Sequence, residues 1–396
     1  MQRLAIVFIA AGAFSAASAG EWDVAADIAL QSRVFVDGAQ WPGQDGARAQ
    51  LTLSGSAELR WRSDDDSQRA AVVPYARWDG VDAERSLIDL RELYWAREGE
   101  GVDILIGANV VFWGVTESVH LVDVINQTDF AADIDGEDKL GQPMLNVAIQ
   151  RDWGQVSAYV LPYFRERTFA GGDGRFRATL PVDTSTAVFE SGAGRRHVDV
   201  ALRYSHYIGD VDIGVYLFRG TGREPRLLPS VDGSSLVPHY DQISQVGVDL
   251  QYTRDAWLWK LEAIARNGAT DNFVAAVGGF EVTSYQVAGS SADLGWLLEY
   301  QYDGRDAGEP LSIADSDIFA GARLSMNDTQ DTAVLAGLAW DHRSGERFVN
   351  VEAERRIGDS FVVEFRLRAF SGAERTDPTY ALRTDDYVQL QLARFF

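Results

Sequence analysis

Hydrophobic and polar residues alternate with a period of two along much of the chain. In residues 50–62, Leu51, Leu53, Leu59 and Trp61 alternate with Gln50, Thr52, Ser54, Glu58, Arg60 and Arg62. The same alternation recurs in residues 145–150, 198–205, 246–252 and 361–368. A period of two indicates a β-strand whose two faces meet different surroundings. Helical periodicity is scarce, so the pattern predicts an all-β protein.

The links between the predicted strands favour a barrel over a soluble β-sandwich. Short links near residues 64–67, 98–101, 152–154, 209–210, 254–255, 290–291, 327–331 and 358–359 alternate with longer ones near 37–45, 79–86, 114–141, 166–194, 220–238, 267–272, 303–316, 342–346 and 371–384. This alternation is typical of transmembrane antiparallel up-and-down β-barrels. We predict a barrel of about eighteen strands, or sixteen if two weak strands between residues 66 and 97 fail.

The start of the chain has a different pattern. Residues 1–19 combine Arg3, an apolar run from Leu4 to Phe14, and small residues at Ala17 and Ala19. This pattern predicts a cleaved secretory signal peptide, because a membrane-spanning helix needs roughly 20 apolar residues. Residues 20–396 contain no linker-like stretch. We therefore predict one barrel domain in the outer membrane of a Gram-negative bacterium.

Composition narrows the classes of function. The net charge of -23 opposes nucleic-acid binding, which needs clustered Lys and Arg. The chain has no cysteine, which excludes disulfides, thiolate metal sites and cysteine nucleophiles. Hydrophobic residues make up 46% of the chain and glycine occurs 37 times, a mixture that strands with glycine-containing turns produce. No nucleotide-binding fingerprint is present, and no cofactor is predicted.

The C-terminal segment DDYVQLQLARFF continues the alternation to the last residue. Val388, Leu390, Leu392 and Phe396 share one face of the predicted strand. The segment resembles the terminal-strand signal that the barrel assembly machinery reads in outer-membrane proteins. Arg394 stands where an aromatic residue is commoner in that signal. The resemblance implies contact with this machinery and with periplasmic chaperones during biogenesis, and later with outer-membrane lipid and lipopolysaccharide.

The segment GANVVFWGVTESVHLVDVINQTDF, residues 107–130, carries a family resemblance. It resembles the W-G and D-V-I-N-P-x-D motif of a porin-like family of outer-membrane proteins of unknown function. The matching residues are Gly107, Trp113, Gly114, Asp123, Val124, Ile125, Asn126 and Asp129. Gln127 replaces the usual proline, and Asn109 stands where a basic or polar residue often occurs. The resemblance implies a porin-like barrel and leaves the transported solute open.

The same segment begins the third long loop, which folds into the pore in many porins. Thr116 is predicted to cap a short helix that runs through Ile125. The constriction candidates of this loop are Asp123, Asn126, Asp129, Asp133, Asp135, Glu137 and Asp138. The candidate charges on the lumen wall are Glu58, Arg60, Arg62, Arg203, Glu352, Glu354, Glu364, Arg366 and Arg368. Opposed charges of this kind select small polar solutes.

Simpler interpretations of these charges stay open. Glu352 or Glu354 could pair with Arg366 or Arg368 only to neutralise charge between neighbouring strands, and the acidic run could lie in a solvated outer loop. Calcium at residues 133–138 is a further alternative, because hard oxygen ligands suit it. The glycine of an EF-hand would come later, however, and Met144 replaces its bidentate glutamate. No metal site is therefore predicted.

Catalysis is not predicted. It would need a nucleophile or activated water together with a base and an orienting group. His197 with Asp199 and Ser205 with His206 are close in sequence, but such spacings are common by chance. The prediction is thus a protein that is not an enzyme.

Three functions are compatible with the barrel. The first is an outer-membrane porin that passes small solutes through a charged lumen narrowed by the acidic third loop. The second is a plugged barrel that transports or exports a specific or hydrophobic ligand with a periplasmic partner. The third is a barrel-anchored surface binding protein. A homo-oligomer is left open, because nothing in the sequence identifies an interface.

Overall fold

A computed structural model describes residues 20–313 and 315–396, so the predicted signal peptide lies outside the described residues. The strands in chain order are β1 Gly20–Phe35, β2 Ala49–Ser63, β3 Gln68–Asp79, β4 Leu87–Glu98, β5 Val102–Asn109, β6 Gln142–Arg151, β7 Gly154–Leu161, β8 Val188–Phe189, β9 Asp199–Ile208, β10 Val211–Thr221, β11 Arg226–Pro229, β12 Leu236–Tyr240, β13 Gln242–Arg254, β14 Trp257–Asn267, β15 Asn272–Ser284, β16 Asp293–Asp303, β17 Asp317–Ser325, β18 Ala333–Asp341, β19 Arg347–Ile357, β20 Phe361–Ser371 and β21 Tyr387–Phe395. Strands β8, β11 and β12 form a small separate sheet. The other strands form an 18-stranded antiparallel sheet.

This large sheet is closed, because its last strand pairs with its first. In that pairing, Leu392 of β21 lies opposite Leu30 of β1. The region between residues 66 and 97 supplies two strands, β3 and β4. The predicted all-β barrel of eighteen strands is therefore confirmed, and the alternative of sixteen is wrong.

Alternation along each strand separates the two faces of the barrel wall. In β1, Ile28 and Leu30 point outward and are each 52% exposed, whereas Arg33 points into the lumen and is 2% exposed. Successive side chains of a strand point to opposite faces, so a period of two gives an apolar outside and a mixed inside.

The connections also alternate. Short turns at 64–67, 99–101, 152–153, 209–210, 255–256, 285–292, 326–332 and 358–360 lie at one end of the barrel, which we call the short-turn rim. The opposite, long-loop rim carries L1 (36–48), L2 (80–86), L3 (110–141), L4 (162–198), L5 (222–241), L6 (268–271), L7 (304–316), L8 (342–346) and L9 (372–386). The turn predicted at Ser290–Ser291 is longer than expected, because β15 ends at Ser284 and left-handed conformations at Gln286 and Ala288 form an irregular turn.

The hydrophobic core lies inside the barrel. Trp113, Val122, Val124 and Ile125 of L3 pack in one cluster with inward residues of strands from β4 to β15, including Tyr216 and Phe218. Helical structure among the described residues is limited to the short 3-10 segments Ala83–Arg85, Thr184–Thr186, Gly194–Arg196, Val287–Gly289 and Pro378–Leu382. Within the described part of the chain, no helix has the length and hydropathy needed to cross a membrane.

The residues of the predicted assembly signal lie on the strand that closes the barrel. Val388, Leu390 and Leu392 point outward from β21 and are exposed. Phe396 follows the strand, and its backbone N–H donates to the carbonyl of Ala26 over 2.9 Å. The guanidinium of Arg394 lies 4.6 Å from the centre of the Phe396 ring, so this arginine packs against the terminal aromatic residue.

Candidate constriction and cavity in the barrel lumen

L3 leaves the wall between β5 and β6 and reaches the far side of the lumen. There, Glu262 of β14 accepts hydrogen bonds from the backbone N–H groups of Val115 (2.7 Å), Thr116 (3.1 Å) and Val122 (3.2 Å). Glu299 of β16 accepts hydrogen bonds from the N–H groups of Glu117 (2.8 Å) and Ser118 (2.9 Å). Both carboxylates are buried. They satisfy loop amides that would otherwise be unpaired inside the barrel.

These contacts explain why the predicted helix from Thr116 to Ile125 is wrong. In that helix the N–H of Val122 would donate to a carbonyl one turn earlier, but it donates to the carboxylate of Glu262 instead. The Thr116 hydroxyl lies 2.7 Å from the Glu262 carboxylate. A helix would have to give up these charge-assisted hydrogen bonds, which are stronger than bonds between neutral groups.

The acidic run of L3 meets a group of wall arginines. Asp133 contacts Arg368, lies 2.8 Å from Arg366 and lies 3.6 Å from Arg33. Asp135 lies 2.7 Å from Arg368. Burial opposes ionisation of Asp133, but the charges of Arg368, Arg33 and Arg366 outweigh it and lower the pKa of that carboxyl. Burial and the charge of Asp133 raise the pKa of Asp135. The negative charges of L3 and the positive charges of the wall thus neutralise each other at this point.

The other constriction candidates hold L3 at separate points. Asp129 pairs with Arg77 of β3 at 2.9 Å, and Asp138 pairs with Arg91 of β4 at 3.2 Å. Within the loop, Lys139 lies 3.0 Å from Asp123, and burial raises the pKa of Asp123 despite that lysine. Asn126 is buried; its side-chain amide donates to the carbonyls of Asn109 (2.9 Å) and Leu140 (2.8 Å).

His120 of L3 lies between two carboxylates. Its Nε2 is 3.1 Å from Glu137 and its Nδ1 is 3.7 Å from Glu262. Burial alone would lower the pKa of His120, but the hydrogen bond to Glu137 and the charges of Glu137 and Glu262 raise it to about 10. His120 is therefore a cation at neutral pH, and its hydrogen bond lowers the pKa of Glu137.

The candidate wall charges fall into four groups. Glu352 lies 3.6 Å from Arg366 and 3.3 Å from Arg368, beside the L3 carboxylates. Arg203 pairs with Asp249 at 2.7 Å. Towards the short-turn rim, Arg60 lies 3.0 Å from both Glu58 and Glu92, and Arg62 is 3.6 Å from Asp66. Glu354 lies opposite Glu364 in the strand register rather than opposite an arginine.

The motif residues lie where L3 enters the lumen. Gly107 has φ of +139°, and a Cβ there would collide with the carbonyl oxygen of Leu93. Trp113 is 5% exposed and packs against Tyr159 and Tyr216, with ring centres 5.6 and 5.0 Å apart. A Cβ at Gly114 would lie 2.8 Å from Nδ1 of His120. Close packing therefore requires glycine at 107 and disfavours a larger residue at 114.

L4 also crosses the mouth of the barrel, which the sequence did not predict. Arg175 donates to Asp385 of L9 (2.7 Å) and to the backbone carbonyl of Asp37 in L1 (3.2 Å). The N–H of Gly171 donates to Asp82 of L2 over 3.0 Å. L4 begins after β7, so these contacts carry it to loops beside the first and last strands.

A cavity of about 700 Å³ lies between L3, L4, L5, L7 and the wall. The side chains that line it include arginines, carboxylates and several large apolar residues. Among them are Arg167, Arg266, Arg305, Glu224, Phe130, Phe319, Phe348 and Phe370. Its size lies within the range of small-ligand sites, about 300 to 1,000 Å³.

The positions of these side chains give no support to a calcium site at residues 133–138 or to catalysis by His197 with Asp199. Guanidinium groups lie beside Asp133 and Asp135, and residues 20–313 and 315–396 contain no group of three or more acidic, histidine or cysteine side chains placed to hold a metal. His197 hydrogen-bonds Asp199 over 2.8 Å. That carboxylate also pairs with Arg223 and accepts from the N–H of Thr221, so it helps to hold L5.

Several residues that hold L3 were not among the sequence predictions. Glu262, Glu299, Arg33 and Arg77 all occupy inward positions of strands. The available signal in the sequence was the alternation of charged with apolar residues. Glu262 alternates with Trp259 and Leu261, and Glu299 lies between Leu298 and Tyr300. This signal shows which way a charge points, but not which loop it meets.

Comparison with known proteins places the chain by fold. No protein-family model and no curated protein matches the sequence. The structure is similar to that of Wzi, a carbohydrate-binding outer-membrane β-barrel involved in group 1 capsule assembly in Escherichia coli, with a TM-score of 0.56, 8% identity and coverage of 94% of this chain and 84% of that chain. It is also similar to OccK5 (OpdH) of Pseudomonas aeruginosa (TM-score 0.55, 8% identity, coverage 96% and 97%) and to a BenF-like porin from Pseudomonas fluorescens Pf-5 (TM-score 0.55, 9% identity, coverage 95% and 98%). The chain therefore has the closed 18-stranded barrel fold found in outer-membrane porins.

Proposed function

We propose that the protein is an outer-membrane channel that passes small solutes through a charged lumen narrowed by L3. The observation that carries this proposal is the contact of L3 with the far wall through Glu262 and Glu299, together with its acidic run against Arg366 and Arg368. A loop held in this way narrows the passage and lines it with both signs of charge. Such a passage selects small polar solutes by charge and size.

In this proposal, the signal peptide at residues 1–19 exports the chain, and the barrel assembly machinery inserts it through its terminal strand. The exposed outward residues, such as Ile28 and Leu30, then contact lipid. Transport needs no cofactor, because solutes diffuse along a potential set by fixed charges.

Planar-bilayer recording of the refolded chain tests the channel. Replacing Asp133, Asp135 and Asp138 together by asparagine removes three negative charges and leaves the wall arginines in place. We expect the permeability ratio of anions to cations to rise severalfold. Asp64, Asp65 and Asp66, in a turn at the short-turn rim, provide a matched control with the same change of charge.

Two outcomes would contradict the proposal at different levels. Absence of conductance steps in the wild-type chain would exclude an open channel. Conductance with equal selectivity in the triple variant and the control would exclude L3 as the element that sets selectivity.

A second candidate, a plugged barrel that binds a specific ligand, is favoured by L4. This loop covers the mouth through Arg175 and Asp385, and the cavity below it is partly apolar. Shortening L4 between residues 171 and 186 distinguishes the two functions. A plugged barrel should begin to conduct after this change, whereas an open channel should conduct before it.

A further inference from the structure

One side of the lumen carries apolar side chains where a water-filled barrel normally has polar ones. The neighbouring strands β17 to β20 turn Phe319, Leu335, Phe348 and Phe370 towards the cavity. The rings of Phe348 and Phe370 stack with centres 5.2 Å apart. We call these four residues the apolar wall. Grouped apolar surface of this kind marks a binding site more often than a passage for ions.

Leu311 and Ile313 of L7 extend this surface. They line the same cavity and are 66% and 60% exposed. Moving side chains of this size out of water is favourable. A ligand with an apolar body would cover them.

A group of three arginines lines the same cavity. Arg266 of β14 and Arg305 of L7 lie 2.7 and 3.4 Å from Glu224 of L5. Arg305 also pairs with Asp303 at 2.7 Å. Burial opposes ionisation of Glu224, but the charges of Arg305, Arg266 and Arg167 outweigh it and lower the pKa of that carboxyl. Arg167 of L4 lines the same cavity beside these residues and belongs to this arginine group.

Positive charge is in excess in this group. Three guanidiniums face two carboxylates, Glu224 and Asp303. Within residues 20–313 and 315–396, Arg167 has no carboxylate partner; its Nε lies 3.5 Å from the amide oxygen of Gln127. Its guanidinium lies 5.6 Å from the centre of the Phe130 ring, which also lines the cavity.

We propose that this cavity binds an amphipathic organic monoanion, with its carboxylate at Arg167, Arg266 and Arg305 and its alkyl body along the apolar wall. This deepens the proposed channel function by naming the chemical class of its solute. One carboxylate matches the single excess guanidinium, and the planar fork of arginine suits it. Asp317 and Glu346 also line the cavity. Their carboxyl groups offer an anionic head group no counter-charge, so we expect the head group to lie at the arginines.

Binding of octanoate to the full refolded chain in lipid nanodiscs tests this proposal. Equilibrium dialysis of labelled octanoate, corrected with empty nanodiscs, measures its affinity. Two probes separate the contribution of the carboxylate head group from that of the alkyl body. Acetate has the same head group without the body, and octylammonium has the same body with the opposite charge. We expect octanoate to bind at least about tenfold more tightly than either, a difference of about 1.4 kcal/mol.

The variant Arg167→Gln tests the arginine group. We expect its octanoate affinity to fall about tenfold, as for the loss of one charge-assisted contact. Arg219→Gln is the matched control, because Arg219 is exposed on the outward face of β10 and does not line the cavity. The wild-type comparison of the three probes keeps the proposal testable if Arg167→Gln does not refold.

Equal affinity for octanoate and octylammonium, or for octanoate and acetate, would overturn the proposal. So would octanoate binding by Arg167→Gln that equals that of Arg219→Gln. The conductance measurement is independent. Conductance without octanoate binding would reject the ligand class and keep the channel, and octanoate binding without conductance would reject the channel and keep the site.

Discussion

The third long loop crosses the inside of the barrel and the fourth crosses its mouth, and the two loops are held by different parts of the molecule. L3 is held by side chains of the wall: Glu262, Glu299, Arg77 and Arg368 all belong to strands. L4 reaches its far contacts largely through other loops, through Arg175 with Asp385 and through Gly171 with Asp82. Its aromatic contacts include Phe176 with Phe35 and Tyr387, at the ends of β1 and β21, and Phe169 with Phe130 of L3.

This difference indicates that L3 is a fixed part of the barrel, whereas L4 can be detached from the mouth. L3 contributes Val122, Val124 and Ile125 to the core of the barrel, so moving it exposes that apolar cluster. We expect that L4 can leave the mouth while the strand register stays intact, because the loops at the rim would regain water when they separate. We therefore expect L3 to determine the stability of the barrel and L4 to determine access to it.

The largest effect is expected for Glu262→Ala. This change leaves the N–H groups of Val115, Thr116 and Val122 without their acceptor and His120 without one of its two carboxylates. Removing one partner from a buried charged group costs about 3 to 5 kcal/mol. We expect the free energy of unfolding in lipid vesicles, followed by tryptophan fluorescence in urea, to fall by about that amount.

Glu354→Ala is the matched control for this variant, because Glu354 is an exposed wall glutamate opposite Glu364. We expect it to change stability by less than about 0.5 kcal/mol, as for exposed charges in general. Equal losses in the two variants would show that L3 is not held through Glu262.

A smaller and local effect is expected for Arg175→Gln. Arg175 and Asp385 are both buried, so the change weakens the attachment of L4, by about 1 to 3 kcal/mol for a lost charged hydrogen bond. The unfolding free energy of the strands should change little, because the freed loop becomes hydrated. We expect faster hydrogen exchange in residues 162–198 and an unchanged unfolding free energy of the strands.

Arg196→Gln provides the control for L4, because Arg196 is an exposed arginine of the same loop. It should leave hydrogen exchange as in the wild type. A loss of strand stability in Arg175→Gln would mean that L4 is as integral to the barrel as L3, and the contrast between the two loops would be wrong.

His120 makes the attachment of L3 depend on pH. Glu137 and Glu262 raise its pKa to about 10, above the ordinary value of about 6.5. The folded state therefore binds this proton more strongly than the unfolded state. The resulting stability is fully present below about pH 6.5 and is lost as the pH rises through about 10.

We expect the unfolding free energy of the wild type to fall between pH 7 and pH 10.5 more steeply than that of His120→Gln. The difference between the two curves isolates His120 from lysines and tyrosines that titrate in the same range. Parallel curves would show that His120 carries no proton in the folded protein at neutral pH.

The sequence predicted the wall better than the contents of the barrel. Alternation in residues 50–62 and 361–368 reports which way each side chain points, so strands, loop alternation and inward charges such as Arg366 and Arg368 followed from it. The acidic run at residues 133–138 was proposed to face wall arginines, and Asp133 and Asp135 do lie beside those two. The face of the wall that a side chain occupies depends on its odd or even position along the strand. A single sequence shows this alternation directly.

Contacts across the lumen could not be predicted in the same way. Glu262 and Val115 are far apart in sequence, and nothing local to either shows that they meet. For this reason, the sequence predicts a helix at residues 116–125, although the amides of Thr116, Glu117, Ser118 and Val122 donate to wall carboxylates. The crossing of L4 and the arginine group around Glu224 also depend on which loops meet above the barrel.

The smallest effect is expected for Arg62→Gln, which tests whether wall charges without a loop partner matter for stability. Arg62 and Asp66 are 3.6 Å apart, with side chains 69% and 76% exposed, at the short-turn rim. Water screens such a pair, so its removal should change the unfolding free energy by less than about 0.5 kcal/mol. A loss above about 1 kcal/mol would mean that charge along the whole wall stabilises the barrel. In that case the contacts of L3 would be one part of a continuous charge network, and the difference between L3 and L4 would be one of degree.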